Sequence, residues 1–210
     1  MPLTGSHVDF DARARTWDDD AAKVDRARRV AEAIAARVPL AGKAVLEYGA
    51  GTGLLGLALQ PRVARVTLAD SSREMLAVAR EKIAAAGIAN AATLLLDLSA
   101  GPPPDARFDV VCTLMTLHHI PDIDGVLRAF HGLLAPGGVL CVSDLDREDG
   151  SFHGASVSVH HGFDRRELAA RLARCGFRPG EFVTAAEVVR PSGEGGTRSY
   201  PVFLVIAPKA

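Results

Sequence analysis

The sequence predicts an α/β fold: a doubly wound, seven-stranded, mostly parallel sheet with an antiparallel C-terminal hairpin strand and helices on both faces. Three observations carry that reading. Short apolar runs alternate with amphipathic helical stretches from residue 44 to residue 176, the pattern of strands covered on both faces by crossover helices. The 20 glycines and 12 prolines gather where those segments meet rather than spreading evenly. The last two apolar runs are joined by a glycine-rich turn instead of a helix, so the final strand is expected to run back against its predecessor. A length of 210 residues suits one domain. Its expected parts are a lid or cap helix over 1–39, a ligand-binding core over 40–145, a loop over 146–163, and a helix with the hairpin over 164–210.

Each element has a local reason. From Asp18 an acidic start suits a helix N-terminus, and Val24, Ala27, Ala31, Ile34 and Val38 form one apolar stripe that Pro39 ends. The run Ala44–Leu46 is a first strand, Leu54–Leu59 a helix, and Val63–Leu68 a second strand closed by Asp70. Ser71 and Glu74 have the spacing of a capping box. Met75, Leu76, Ala79 and Ile83 continue that helix to Gly87, where a left-handed residue stops it. Ala92–Leu96 and Phe108–Leu114 are the third and fourth strands. A strongly periodic helix over Ile123–Leu134 turns through Pro136-Gly137-Gly138 into a fifth strand, Val139–Leu145. Asp164 and Glu167 open the last helix, and Phe182–Val189 and Pro201–Ala207 make the closing pair.

Composition narrows the function classes. Lys+Arg number 24 against 25 Asp+Glu, a net charge of −1, so no overall field favours nucleic acid or anionic lipid. No apolar run reaches the ~18 residues of a bilayer span and no signal-peptide core opens the chain. Cys112, Cys141 and Cys175 are too widely spaced for a disulfide framework or a CxxC metal site. A cytoplasmic protein, monomeric or homodimeric, is the expectation.

The most informative stretch is Val45-Leu46-Glu47-Tyr48-Gly49-Ala50-Gly51-Thr52-Gly53. A buried strand runs into alternate glycines and then a helix, where a ligand can approach the backbone and the helix presents unpaired N–H groups. An offset register, Gly51-x-Gly53-x-x-Gly56 with Asp70 about 20 residues on, also fits a dinucleotide fingerprint. Glu47 at the strand end speaks against a pyrophosphate there and for a cationic ligand.

Glu47-x-Gly49-x-Gly51-x-Gly53 resembles motif I of the class I S-adenosylmethionine-dependent methyltransferases. Asp70 resembles that family's ribose-binding acid, and Asp97, after Leu94-Leu95-Leu96, its acid near the adenine amino group. Phe108-Asp109-Val110-Val111 and Leu133-Leu134-Ala135-Pro136-Gly137-Gly138 resemble its fourth strand and the turn into its fifth. These motifs span residues 44–145 in order. The resemblance implies S-adenosylmethionine as cofactor, held by Glu47, Gly49, Gly51, Asp70, Ser71, Met75, Asp97, Leu98 and Thr113, with methyl transfer to an acceptor. The N-terminal segment with Phe10, Arg13 and Trp17 would fold over the cofactor.

The acceptor side is read from histidines. His119 follows the fourth strand and His161 lies between the fifth strand and the next helix; either is a candidate general base. His118/His119, Asp144/Asp146 and His153/His160/His161 could converge on a metal, but no fixed helical ligand spacing supports one, and none is expected. Thr113-Leu114-Met115-Thr116 departs from the Asn/Asp-Pro-Pro-Tyr/Phe of exocyclic-amine methyltransferases, and no Pro-Cys nucleophile is present. A small-molecule acceptor, without nucleic acid or membrane, is therefore expected. The alternatives are a nicotinamide-dependent oxidoreductase and a catalytically silent S-adenosylmethionine-binding regulator.

Overall fold

A computed structural model describes residues 9–153, 160–191 and 196–210. Residues 154–159 of the expected loop and 192–195 of the expected hairpin turn lie outside the described residues. The seven strands are β1 (Ala44–Tyr48), β2 (Arg65–Asp70), β3 (Ala91–Leu95), β4 (Phe108–Leu114), β5 (Leu134–Leu145), β6 (Glu181–Pro191) and β7 (Thr197–Pro208). They form one sheet in the order β3-β2-β1-β4-β5-β7-β6. Strands β1 to β5 pair in parallel, while β7 lies antiparallel to both β5 and β6. The order reverses between β1 and β4, where ligands of such sheets bind.

The helices are α1 (Phe10–Arg13), α2 (Ala21–Ala35), α3 (Leu54–Leu59), α4 (Arg73–Ala85), α5 (Ile123–Leu133) and α6 (Arg165–Arg174). Strand alternation sends neighbours to opposite cores. Leu46, Val111, Leu140 and Phe203 join the apolar cluster containing Phe130 and Leu172 from α5 and α6. Val45, Val110, Cys141 and Leu204 join the cluster containing Val30, Leu55 and Ala79 from α2, α3 and α4. Burial pushes the Cys141 thiol up to about 12 and raises Cys112 as well, so both behave as core side chains.

Boundaries shift where hydrogen bonds outcompete the apolar pattern. Strand β2 starts at Arg65 rather than Val63, because a 3₁₀ turn over Gln60–Arg62 holds the Val63 N–H. Helix α4 is capped by Ser72, not Ser71: the Ser72 Oγ accepts from the Met75 N–H at 3.0 Å. Strand β5 takes in Pro136-Gly137-Gly138, since Leu134 already pairs with Phe108. Residues 10–19, before α2, are helical as well. A 3₁₀ segment over Ala14–Asp19 follows α1. The Asp18 carboxylate then ties it to the glycine loop and α4, accepting from the Thr52 hydroxyl at 2.5 Å and from Lys82 at 2.7 Å.

Candidate active site

A cavity of about 790 Å³ opens above the C-terminal ends of β1, β2 and β4, within the usual size range of small-ligand sites. Phe10, Arg13 and Trp17 line one side of it, and the loop after β1 another.

The loop is shaped by backbone conformation. Gly49 and Gly51 take φ of +70° and +54°, which cost a residue with a Cβ roughly 1–2 kcal/mol. A Cβ at Gly49 would meet the Thr116 side chain within 2.8 Å. At Gly51 the space is open, with only the Met75 Sδ and Trp17 Nε1 at 3.8 and 3.9 Å from an added Cβ. That cradle is the approach a backbone-hugging ligand needs.

Asp70, at the end of β2, fixes the loop. Its Oδ2 accepts from the Gly51 N–H at 2.7 Å and its Oδ1 from the Ser72 N–H at 2.8 Å. Burial raises its pKa, against which those two donors pull. Glu47 is 2% exposed and accepts from the Gly56 N–H at 2.7 Å, so it caps the first turns of α3 while still lining the cavity. Burial pushes its carboxyl up to about 8, the Gly56 donor opposing. Met75, Ser71 and Asp97 also line the cavity; Asp97 turns its Oδ1 to the Ser99 N–H at 2.9 Å.

Three sequence candidates fall outside the lining. Leu98 packs toward the α5 core and donates its N–H to the Tyr48 hydroxyl. Thr113 is 1% exposed within β4, its hydroxyl buried without a hydrogen-bond partner; Leu114, Met115 and Thr116 take that wall instead. His161 is exposed, and its ring lies where a Cβ on Gly150 would stand. The loop carries the segment back to β5, the Glu148 N–H donating to the His161 carbonyl at 2.9 Å.

The imidazole that the sequence reading passed over is His118. Met115 ends β4 with φ +54°, an uncommon conformation for a residue with a side chain, and its N–H donates to the Ser143 carbonyl at 2.8 Å. The turn that follows delivers His118 to the end of β5. Its Nδ1 lies 2.7 Å from Asp144 Oδ1, with side-chain exposures of 1% and 0%. Asp144 also accepts from the Leu145 N–H at 2.8 Å and the His118 N–H at 3.3 Å. Burial alone would raise Asp144; the His118 interactions and these N–H donors hold it below the ordinary carboxylate range.

The His118 Nε2 stands 3.0 Å from His153 Nε2. Burial, then the neighbouring His118 and Arg190, lower His153 to about 4, so it is neutral near pH 7. In the tautomer that gives Nδ1–H of His118 to Asp144 and leaves Nε2 bare, His153 is the donor to that nitrogen. His119 also lines the cavity, its ring edge-on to Phe10 at 5.2 Å. Ring nitrogens of His118, His119 and His153 all lie within 4.8 Å of one another, a convergence that sequence spacings of 1 and 34 residues do not announce. His160 turns away, its Nε2 at 3.0 Å from the Ile120 carbonyl.

Comparison with known proteins agrees with this geometry. Residues 45–138 match the methyltransferase domain family. The chain is 35% identical over 125 residues to the ubiquinone biosynthesis O-methyltransferase of Pseudomonas paraeruginosa, covering 60% of this chain and 54% of that one. It thus spans about half the length of the curated relatives it matches. Its fold is similar to a S-adenosylmethionine-dependent methyltransferase from Aquifex aeolicus (TM-score 0.71, 20% identity, 95% of this chain and 98% of that one). It is also similar to Burkholderia thailandensis 1,6-didemethyltoxoflavin-N1-methyltransferase (TM-score 0.71, 22% identity, 96% and 86%). Fold, glycine loop and family match make residues 45–138 similar to the methyltransferase domains that use S-adenosylmethionine. The residues present suit that cofactor: an open cradle at Gly51 and a carboxylate, Asp70, already oriented at the strand end.

Proposed function

We propose that the chain methylates a hydroxyl group of a small molecule, with His118 as the general base and Asp144 holding it in place. The observation that carries this reading is the buried 2.7 Å contact between His118 Nδ1 and Asp144. A carboxylate at that nitrogen fixes the tautomer, leaves Nε2 as a proton acceptor and stabilises the imidazolium that forms. When bound, S-adenosylmethionine supplies an electrophilic methyl group on a sulfonium.

The protein's own part is to bind, orient and take a proton. Asp70 offers its remaining lone pairs to a ribose diol, and Gly49 and Gly51 let the backbone close on the ligand. Phe10 and Trp17, edge-on at 5.9 Å, cover the cavity and exclude water, which strengthens the polar interactions inside. An acceptor hydroxyl that replaces His153 as the donor to His118 Nε2 gives up its proton there as its oxygen takes the methyl group. That the Pseudomonas relative is an O-methyltransferase of ubiquinone biosynthesis supports a hydroxyl acceptor.

Release of S-adenosylhomocysteine across a panel of hydroxylated small molecules tests the reading. Turnover should fall by about 10²–10⁴-fold in His118→Ala and Asp144→Asn while S-adenosylhomocysteine still binds. Full turnover in both variants removes His118 as the base. Binding of NAD without S-adenosylhomocysteine would overturn the cofactor assignment.

A second reading rests on the three convergent imidazoles: a divalent cation held by His118, His119 and His153 activates the hydroxyl, with Asp144 orienting one ligand. Chelator treatment separates the two, since it abolishes turnover in the cation reading and leaves it intact in the base reading.

A further inference from the structure

The acceptor side of the cavity has a small core of its own. Phe152, Val188, Tyr200 and Val202 belong to an apolar cluster apart from the two that flank the sheet, and Leu114 and Met115 of the cavity wall pack against it. The chain after β5 meets this cluster over residues 148–153 and is tied down there. The Glu148 carboxylate accepts from the Gly150 and Phe152 N–H groups at 2.8 and 3.1 Å, and Ser151 Oγ and Tyr200 Oη share a hydrogen bond of 2.7 Å. Phe152, 3% exposed, is the apolar anchor, edge-on to Tyr200 at 5.1 Å.

Arg190, near the end of β6, grips that anchor twice. Its Nη1 donates to the Phe152 carbonyl at 2.6 Å, and its guanidinium lies 3.9 Å from the centre of the Phe152 ring. A charge-assisted hydrogen bond and a cation–π contact on one residue fix both its backbone and its ring. The carbonyl belongs to the peptide that leads into His153, and because a peptide is planar its orientation sets where the His153 side chain leaves the chain. The His153 Nε2 stands 3.0 Å from the His118 Nε2, and Arg190, Phe152 and His153 all line the cavity. Arg198, by contrast, holds the segment farther back, its Nη1 donating to Asp149 at 2.7 Å.

We propose that Arg190 is a positioning residue for the acceptor side: by holding the Phe152 peptide and ring it seats His153 against His118, where the acceptor hydroxyl binds. Arg190 itself moves no proton. When the hydroxyl takes its place at His118 Nε2, the displaced His153 N–H is left beside the same oxygen, as a donor to the negative charge that grows there while the proton leaves. The proposal deepens the methyl-transfer reading and rests on it for the role of His118; the seating of His153 is independent of it.

Its test reads ring nitrogens and turnover together. In nitrogen-15 spectra of the whole chain near neutral pH, with S-adenosylhomocysteine added, a His153 ring held in one tautomer gives one protonated and one bare nitrogen signal. Arg190→Met should move the two toward each other, as in a ring that exchanges tautomers in water. With an acceptor from the hydroxylated panel, kcat/KM should fall by about tenfold, the scale of one hydrogen bond to a charged group, while S-adenosylhomocysteine affinity stays within about twofold. Arg190→Lys, which keeps a charged donor but not the flat stacking face, should recover part of both. Arg190→Gln carries the same expectations should Arg190→Met not fold. Arg198→Met should leave both readouts as they are in the unsubstituted chain. Unmoved His153 signals in Arg190→Met, moved signals with unchanged kcat/KM, or equal changes in Arg198→Met overturn the proposal. So does a tenfold loss of S-adenosylhomocysteine affinity in Arg190→Met, which would give this guanidinium to the cofactor. Moved signals in a chain that methylates no acceptor uphold the seating of His153 and count against the methyl-transfer reading alone.

Discussion

The two halves of the cavity are built on opposite rules. On the β1–β2 side, polar atoms are spent on the backbone: Glu47 on Gly56, Asp70 on Gly51 and Ser72. That half is a rigid mould, set by glycine conformations and fixed carboxylates. On the β4–β6 side the polar groups face one another, with Asp144, His118 and His153 in a line and the guanidinium of Arg190 acting on His153. That half keeps acceptors and donors in reserve for a molecule that arrives. The contrast teaches that binding and chemistry are separable in this fold, so substitutions should sort by side.

The largest effect belongs to the reactive side. Asp144→Asn should cut turnover by about 10²–10⁴-fold with S-adenosylhomocysteine affinity unchanged, measured by product release and by calorimetry. A parallel loss of cofactor affinity would break the division between the halves. On the other side, Asp70→Ala should weaken S-adenosylhomocysteine by about 100-fold, as two charge-assisted bonds to backbone N–H groups and the ribose contact disappear.

A smaller effect concerns pH. Glu47 is protonated in the folded chain up to about pH 8, whereas in the unfolded chain it ionises near its ordinary value. Folding therefore retains a proton that the unfolded state releases, and stability should fall as pH rises from about 4.5 to 8, by about 1.4 kcal/mol per pH unit for this group. Glu47→Gln keeps an acceptor for the Gly56 N–H and should flatten that slope, read from melting temperatures at pH 5 and pH 8. An unchanged slope would show that Glu47 ionises normally in its mould. The smallest effect is expected outside both halves: His161→Ala should leave turnover within about twofold, because its exposed ring packs on Gly150.

The mould was more legible in the sequence than the reactive half, for a physical reason. Gly49, Gly51 and Asp70 act through backbone geometry confined to neighbouring elements, and local spacing records it. Strand alternation likewise follows from period alone, so the sheet and its reversed closing pair could be read from apolar runs. His118 and Asp144 meet only because β4 and β5 run side by side, and no spacing encodes that. Sequence position favours His119, at the edge where the methyl group would lie, and His161, in a loop with few packing reasons for a histidine, and nothing local singles out His118. The deciding partner was a buried aspartate 26 positions away. The cap of α4 lies one residue later than the Ser71 spacing suggests, because Ser72 offers the same hydroxyl.

The insertion of β7 between β5 and β6 has a consequence for the order of assembly. Asp144 pairs with Phe203 of β7, and β6 meets the rest of the sheet only through β7. As a chain emerges from the ribosome, the glycine loop and its parallel neighbours are all made before residue 197, but the outer edge of β5 then still lacks its partner. The mould is thus complete in nascent chains whose reactive wall is not. Until β7 is made, the edge of β5 that carries Asp144 is left unpaired, for chaperones to guard.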